Sequence, residues 1–243
     1  MAGIPRDLSD AVSQAREATE AALKDGLRRI QVELVLPELK IMPVAEEFVP
    51  LFAESGAALR VFFPDAGAAA LARRDWGELG FSLSDVGSGR TPMLNKIKPE
   101  DEIFLFIEAS AIEVTQVEEL CNQAGDRPII FLNPKLEDVA TIGIGYAGRQ
   151  LRDRFLSTIE AVYYLKPLEG VTIRRAYPNP WEVWLDPETD DDDYQLAATS
   201  TQKPVGEVLD ELLGKTTNKE GEPLKPQPNF LGQLQGFLKA LSR

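Results

Sequence analysis

The chain has 243 residues, of which 44% are hydrophobic, so it is long enough to bury the core of one large domain. It contains no histidine and a single cysteine, Cys121, which excludes Ser/His and Cys/His catalytic pairs, histidine-containing zinc sites and an intramolecular disulfide. The formal net charge of −13 argues against broad nucleic-acid binding, because affinity for phosphate backbones comes mainly from lysine and arginine side chains.

The first part of the chain alternates between helical and strand-like patterns. Apolar residues at helical spacing predict a helix over residues 8–25, and Gly26 stands where such a helix ends. Five apolar runs predict strands: RRIQVELVL, ALRVFFPD, GFSLSDVG, EIFLFIEA and RPIIFLN. Cys121 takes an apolar position in the helical pattern EVTQVEELCNQA, which indicates a buried structural thiol. Apolar strands separated by helices favour a Rossmann-like α/β fold, with a mostly parallel sheet and helices on both faces.

The pattern changes after residue 133. A helix is predicted over residues 147–158 and a strand at AVYYLKPL, after which VTIRRAY and WEVWLD have the pattern of antiparallel edge strands. VGEVLDELL predicts a further helix. We therefore expect one α/β domain over residues 1–213, a linker over 214–229 that is rich in Gly, Pro and Lys, and an amphipathic C-terminal helix over 230–243.

GIGYAG has the shape of a dinucleotide-binding turn. Gly143, Gly145 and Gly148 form G-x-G-x-x-G before a predicted helix, and Glu169 follows about 20 residues later. Such glycines let a pyrophosphate approach the N-terminus of a helix, and the acid binds a ribose. The strand before this motif is short, however, and the motif follows five predicted strands instead of opening the domain. A glycine-rich turn into an ordinary helix is therefore the favoured interpretation.

Arginines follow this turn in the helix. Arg149 and Arg152 are three residues apart on one helix face, close to the positive N-terminal end, where they could hold an anion. Acidic residues are plentiful in the chain, so structural ion pairs are the favoured alternative.

Polar residues end the predicted strand RPIIFLN. Asn133 and Lys135 follow its apolar run, and Glu137 and Asp138 come next. Ligands of open α/β sheets usually bind at the carboxyl ends of strands, so Asn133 and Lys135 are candidate site residues. Lys135 with either acid could carry out acid–base chemistry, but no pattern specifies a substrate.

The stretch AYPNPWEVWLDPETDDDDYQL combines two tryptophans with four consecutive aspartates. Strand alternation places Trp181 and Trp184 on opposite faces, and tryptophan is typical of cores and of partner-binding surfaces. The aspartates at 190–193 lack the glycine and the spacing of a calcium loop. The run therefore predicts a solvated loop and no metal site.

The C-terminal tail differs in charge from the rest of the chain. Residues 214–243 carry a net charge of +3, which leaves −16 for the body. An apolar stripe at helical spacing predicts a helix that packs on its own body or on a partner protein, and its residues are Phe230, Leu231, Leu234, Phe237, Leu238 and Leu241. Direct membrane binding is the least favoured alternative, because this helix contains only Lys239 and Arg243 as cations.

Several segments together resemble a known family. They are AVSQAREATEAALKDGLRRIQVELVLPEL, FLNPKLEDV, RFLSTIEAVYYLKPL and YPNPWEVW. The family is a numbered domain of unknown function from cyanobacteria and chloroplasts, and it includes the chloroplast low photosystem II accumulation proteins and the C-terminal extension of a plastid adenylate kinase. The resemblance covers residues 8–186 and implies a soluble α/β factor in photosystem biogenesis at or near thylakoid membranes, with no agreed active site.

Two functional hypotheses follow. The leading one is a non-enzymatic assembly or interaction factor for photosynthetic membrane complexes, without a cofactor, whose protein partners belong to photosystem II or to thylakoid biogenesis. This hypothesis expects a cytoplasmic location in a cyanobacterium, membrane contact that is at most peripheral, and no binding to nucleic acid. The alternative is a nucleotide- or small-anion-binding enzyme that uses the glycine turn at 143–148 and the neighbouring arginines.

Overall fold

A computed structural model describes residues 3–77, 79–87, 93–137, 145–187, 189 and 193–214. The chain divides into two compact units, which are described separately below. The first unit comprises Met1–Ala18, Leu34–Leu39 and Val162–Arg243, and the second comprises Thr19–Glu33 and Lys40–Ala161.

The described residues form six α-helices and nine strands. The helices are α1 (Leu8–Lys24), α2 (Ile41–Phe48), α3 (Ala66–Asp75), α4 (Val114–Ala124), α5 (Tyr146–Arg154) and α6 (Glu207–Gly214). The strands are β1 (Arg29–Leu34), β2 (Leu59–Phe63), β3 (Ser82–Asp85), β4 (Ile103–Ile107), β5 (Ile129–Leu132), β6 (Glu160–Pro167), β7 (Val171–Ala176), β8 (Trp181–Leu185) and β9 (Gln195–Ser200). 3-10 helices occupy Val49–Ala58, which is interrupted by non-helical backbone at Phe52 and Gly56, and Met93–Lys96, Ala111–Glu113 and Leu156–Thr158.

The strands form one sheet in the order β3-β2-β4-β5-β1-β6-β7-β8-β9. Strands β3, β2, β4, β5 and β1 pair in parallel, and the hairpins of β6 to β9 pair antiparallel. The predicted fold class, a Rossmann-like α/β sheet with antiparallel strands at one end, is confirmed.

The core of the second unit lies along the parallel strands. Every residue of β2 and β5 is buried, which explains why β5 is a continuous apolar run and why the one charged residue of β2, Arg60, forms a buried ion pair with Asp101 at 2.6 Å. The rings of Phe62, Phe106 and Phe131 stack across β2, β4 and β5, with centroids 4.9 and 5.2 Å apart. Cys121 of α4 is fully buried in this core, and burial raises the pKa of its thiol to about 12. Cys121 is therefore a structural thiol, as its position in the helical pattern predicts.

The first unit packs helices against its antiparallel strands. Leu209, Leu212 and Leu213 of α6 pack against Val171 of β7 and Val183 of β8. The part of α1 that belongs to this unit turns small residues towards its core, since Ala11 and Ala15 are almost fully buried. Small side chains let a helix approach a sheet closely, which leaves room for the large polar side chains described below.

Three element boundaries differ from the sequence predictions. The segment VAEEFVPLFAES has a helical sequence pattern, but its α-helix ends at Phe48 and the chain continues as a 3-10 helix that has a proline in its first turn. The helix predicted over 147–158 ends at Arg154 and is followed by the 3-10 helix Leu156–Thr158. Strand β9 was not predicted, and its pairing with β8 means that β8 is not an edge strand. None of the helices in the described residues is long and apolar enough to cross a lipid bilayer.

Candidate functional site

The carboxyl ends of β4 and β5 bring two unusual residues together. Ile107 lies opposite Leu132 in the parallel register, so the next residues along the chain, Glu108 and Asn133, are neighbours. Both have left-handed backbone conformations, with φ of 50° for Glu108 and 47° for Asn133. Asparagine tolerates this conformation, but glutamate does so at a cost. Such residues occur preferentially at functional sites, because the strain persists only where the surroundings impose it.

Hydrogen bonds connect these strand ends into one polar cluster. The Lys135 ammonium donates to Glu108 Oε1 at 2.8 Å, and the Lys135 amide donates to the Ala109 carbonyl at 2.8 Å. Ser110 forms an isolated parallel bridge with Lys135, and its hydroxyl donates to the Glu113 carboxylate. We call Glu108, Ser110, Glu113, Asn133 and Lys135 the carboxyl-edge cluster. It contains both residues, Asn133 and Lys135, that the sequence singles out at this strand end.

The topology of the second unit has a switch point between β2 and β4, next to the half of the cluster that follows β4. The chain leaves β2 through α3 to reach β3 on one side, and it leaves β4 through α4 to reach β5 on the other side. Because such crossovers are right-handed, α3 and α4 depart to opposite faces of the sheet. The carboxyl ends of strands at a switch of this kind are where open α/β sheets usually bind their ligands.

Two exposed apolar side chains lie at the same edge. Ile112 follows the cluster in the 3-10 helix Ala111–Glu113 and is 80% exposed, and Tyr146 at the start of α5 is 71% exposed. Among the described residues these are the two most exposed large apolar side chains.

The position of Tyr146 follows from contacts at the other end of α5. Arg154 donates to both oxygens of Glu118 in α4, at 2.7 and 2.8 Å. Thr158, just beyond α5, accepts a hydrogen bond from Arg29 at the beginning of β1, so α5 runs towards the amino ends of the strands. Tyr146 precedes Arg154 by eight residues, about 12 Å along the helix, and therefore lies towards the carboxyl edge.

The structure describes only part of the glycine turn. Gly143 lies outside the described residues, Gly145 directly precedes α5, and Gly148 is buried inside this helix. Arg149 is exposed and Arg152 is half-buried. Among the described residues, no side chain caps the start of α5 with a hydrogen bond.

Glu169, the candidate ribose-binding acid, belongs to the first unit. It lies in the turn between β6 and β7, where the Leu168 amide donates to the Val171 carbonyl at 2.8 Å. In a dinucleotide fingerprint the acid ends the second parallel strand, whereas Glu169 follows a strand that forms an antiparallel hairpin.

The two tryptophans of β8 have different surroundings. Trp181 is only 7% exposed and packs edge to face on Tyr164, with ring centroids 5.2 Å apart. The Lys203 ammonium lies 4.0 Å from the centroid of Tyr164 and 5.7 Å from that of Trp181. Trp184 is half-buried, and its indole nitrogen donates to Glu182 Oε2 at 2.9 Å. Trp184 therefore offers a partner more surface than Trp181 does.

A buried polar cluster in the first unit was missed by the sequence reasoning. Arg174 is 1% exposed, and its Nη1 donates to Glu182 Oε2 at 2.7 Å. Its Nε and Nη2 donate to Gln14 Oε1 of α1 at 3.3 and 3.1 Å. These bonds tie α1 to β7 and β8. The sequence could have indicated that Arg174 and Glu182 pair across β7 and β8, because their opposite charges flank the YPNP turn. It could not have indicated that the pair is buried.

Tyr163 lies beside this buried cluster. Its hydroxyl is buried and has no hydrogen-bond partner among the described residues. Burial raises the pKa of Tyr163 well above its ordinary value, and the nearby Arg174 guanidinium opposes that rise in part. The phenol of Tyr163 is therefore neutral, and Arg174 and Glu182 are paired with each other and with Gln14 and Trp184. This arrangement is typical of a structural cluster.

The remaining sequence candidates concern metals and the tail. No group of three or more Cys, Asp or Glu side chains in the part of the chain that the structure describes is placed to hold a metal ion. Three of the four consecutive aspartates lie outside that part, and Asp193 is exposed. The C-terminal stripe also lies outside the described residues: Phe230, Leu231, Leu234, Phe237, Leu238 and Leu241.

Comparison with known proteins identifies a family but no activity. No solved structure matches this chain. A family model described as "Domain of unknown function (DUF1995)" matches residues 5–211. This match includes all nine strands and both halves of the carboxyl-edge cluster. The chain therefore belongs to the DUF1995 family of domains of unknown function.

Proposed function

We propose that this protein is a non-enzymatic assembly or interaction factor for photosynthetic membrane complexes, and that it binds a partner protein through the carboxyl edge of its second unit. The observation that supports this most is the exposure of Ile112 and Tyr146 at one edge of the sheet. A single exposed apolar side chain is ordinary in soluble proteins. Two of them at the edge that carries a polar cluster resemble the apolar centre and polar rim of a protein interface.

The polar groups at this edge have the chemistry of the rim of a protein interface. Lys135 and Glu108 neutralise one another, and Ser110 binds Glu113, so the cluster presents paired charges around the apolar side chains. Charged residues at an interface rim steer encounter and select partners, while buried apolar and aromatic side chains supply most of the affinity. We expect Ile112 and Tyr146 to be the main contributors to binding.

The resemblance to cyanobacterial and chloroplast proteins supports the choice of partner. Photosystem II and thylakoid biogenesis proteins are the partners that this resemblance implies. We place the protein in the cytoplasm of a cyanobacterium, with membrane contact that is at most peripheral and that depends on the partner. This proposal requires no cofactor and no nucleic acid.

Affinity capture tests this proposal. The full-length tagged chain and an Ile112→Asp, Tyr146→Asp double variant are incubated with detergent-solubilised cyanobacterial thylakoids, and captured proteins are quantified by mass spectrometry. Leu71→Asp is the matched control, because Leu71 is an exposed apolar residue of α3 in the same unit. We expect the wild type and the control to enrich photosystem II or thylakoid biogenesis proteins. We expect this enrichment to fall at least about tenfold for the double variant, because it removes the two apolar contacts that the complex would bury. Wild-type capture of no such protein overturns the proposal.

A second candidate function is binding of a small anion or a nucleotide at the start of α5. It is favoured by the first turn of this helix, which no described side chain caps, together with the exposed Arg149, since the amides of a helix N-terminus and a cation attract anions. Calorimetry with inorganic phosphate, ATP, NAD and NADP tests it, with Arg149→Ala as the matched variant. Heat that disappears in this variant supports anion binding, and no heat at millimolar ligand overturns it.

A further inference from the structure

We infer that Glu108 is a binding residue, whose carboxylate exchanges its ion pair with Lys135 for a cationic side chain of the docked partner. The partner segment would then be amphipathic and basic, with apolar residues for Ile112 and Tyr146 and a lysine or arginine for Glu108. This inference rests on the proposed function and adds to it the chemistry of the partner.

The backbone of Glu108 shows that this position favours glycine. Its φ of 50° lies in the left-handed region, where a side chain adds steric cost and glycine adds none. Its amide donates to the Leu132 carbonyl at 2.9 Å, and glycine would keep that bond. A glutamate at this position therefore makes the fold less stable than glycine would.

The ion pair with Lys135 does not offset this cost. The Lys135 side chain is 67% exposed and that of Glu108 is 27% exposed, and an ion pair with one partner open to water stabilises a protein little. The carboxylate of Glu108 thus has no clear benefit for folding. A polar side chain that a protein keeps in a strained conformation at a sheet edge points to binding.

Charge at the edge selects the sign of the partner. Among the described residues at this edge, five carboxylates stand against three cations, and they are Asp65, Asp85, Glu108, Glu113 and Glu137 against Lys96, Lys135 and Arg149. One of the two ammonium groups is already bound to Asp85, through contacts of 2.9 Å to its carboxylate and its carbonyl. A basic segment is complementary to the carboxylates of this edge.

Lys135 acts in this scheme as an internal competitor. The Lys135 ammonium binds the Glu108 carboxylate in the free protein. The partner must displace Lys135 before the partner's own cation can bind this carboxylate. Removing the Lys135 charge should therefore strengthen binding, whereas removing the Glu108 charge should weaken it. A purely structural ion pair predicts the same direction of change for both substitutions, because either one breaks the pair.

Peptide binding by the purified full-length chain separates these possibilities. The probe is a fluorescein-labelled synthetic peptide of leucine and lysine residues at helical spacing, followed by fluorescence anisotropy at low and high salt. We expect Glu108→Gln to raise the Kd about tenfold, as loss of a charge-assisted contact does, and Lys135→Gln to lower it several-fold. The control Glu119→Gln removes the same charge from an exposed position on α4 and should change the Kd less than about twofold.

A stability measurement provides an independent readout. Glu108→Gly should raise the Tm by roughly 2–4 °C through relief of backbone strain, while it loses peptide affinity as Glu108→Gln does. A lower Tm for Glu108→Gly overturns the inference. The same holds if the wild type does not bind the peptide, if Glu108→Gln equals Glu119→Gln, or if the Glu108 and Lys135 variants change affinity in the same direction. Thylakoid capture is measured separately, so failure of the proposed function can be distinguished from failure of this inference.

Discussion

At the scale of single residues, the arginine at 174 shows how the first unit accommodates a fully buried charge. Glu182 neutralises Arg174. Gln14 accepts hydrogen bonds from Arg174, and Trp184 donates one to Glu182. A buried ion pair contributes little net stability relative to apolar residues, but each partner alone is costly to bury. The cluster therefore specifies how α1 meets β7 and β8 more than it stabilises the fold.

Replacing Arg174 tests this account. Arg174→Ala leaves the Glu182 carboxylate buried without its cation, so we expect the free energy of unfolding to fall by about 3–5 kcal/mol in urea denaturation. Arg154→Ala is the control, because it breaks the Arg154–Glu118 pair, whose arginine is exposed, and should have a much smaller effect. Equal effects of the two variants would mean that the Arg174 cluster is not a buried charge network.

Asp186 gives the first unit a pH dependence. Burial raises the pKa of this carboxyl to about 6 from its ordinary 3.8, and the hydrogen bond from the Thr172 hydroxyl opposes the rise in part. The folded state therefore binds more protons than the unfolded state between these two values. The contribution of Asp186 to the stability of the fold is complete below its unfolded pKa of 3.8. This contribution is lost as the pH rises through its folded pKa of about 6.

We therefore predict that Asp186→Asn becomes more stable relative to the wild type as the pH rises from about 4 to 7, by up to about 3 kcal/mol. Asparagine is neutral and can still accept the Thr172 hydrogen bond, so the variant removes the titration and keeps the contact. Urea denaturation of both proteins at several pH values measures the difference. A difference that does not change with pH would show that Asp186 keeps an ordinary pKa in the fold.

At the scale of elements, local capping residues can be tested directly. Asp65 precedes α3, and its Oδ1 accepts a hydrogen bond from the Ala68 amide at 2.9 Å. We expect Asp65→Ala to lower the free energy of unfolding by about 1 kcal/mol and Asp65→Asn to lower it less, because asparagine also caps helices. Thermal unfolding followed by circular dichroism measures both. If the two variants are equally unstable, the charge of Asp65 matters more than its cap.

Most elements could be predicted from the sequence because their apolar patterns are strong. Strands β4 and β5 are continuous apolar runs, and α4 shows a clear helical period. β9 was missed because QLAATS contains glutamine, alanine and serine, which are weak strand formers, and its place depends on pairing with β8.

The candidate site was predicted only in part. Asn133 and Lys135 were found because polar residues follow an apolar strand. Glu108 was not, because its importance depends on its left-handed backbone and on the pairing of β4 with β5, and neither can be read from local sequence. Ile112 was missed for a similar reason, since an isoleucine beside a helical pattern is usually buried.

At the scale of the whole molecule, the family match separates the domain from the tail. The match ends at residue 211, inside α6, and the segment from 215 to the C-terminus carries a net charge of +3. We predict that deleting residues 215–243 leaves a chain that unfolds cooperatively with a Tm close to that of the full-length protein, because Leu213 and the rest of α6 are retained. Thermal melting followed by circular dichroism checks this. A truncated chain without a cooperative transition would place the tail in the core.

We propose that the carboxyl edge of the second unit binds a protein of photosynthetic membranes. The most direct test places a photo-crosslinking amino acid at position 112 in living cyanobacterial cells, with position 71 as the exposed apolar control. After irradiation, crosslinked products are purified and identified by mass spectrometry. The account predicts that position 112 crosslinks to a photosystem II or thylakoid biogenesis protein and that position 71 does not. Crosslinks from position 112 to no such protein, or equal yields from both positions, would contradict it.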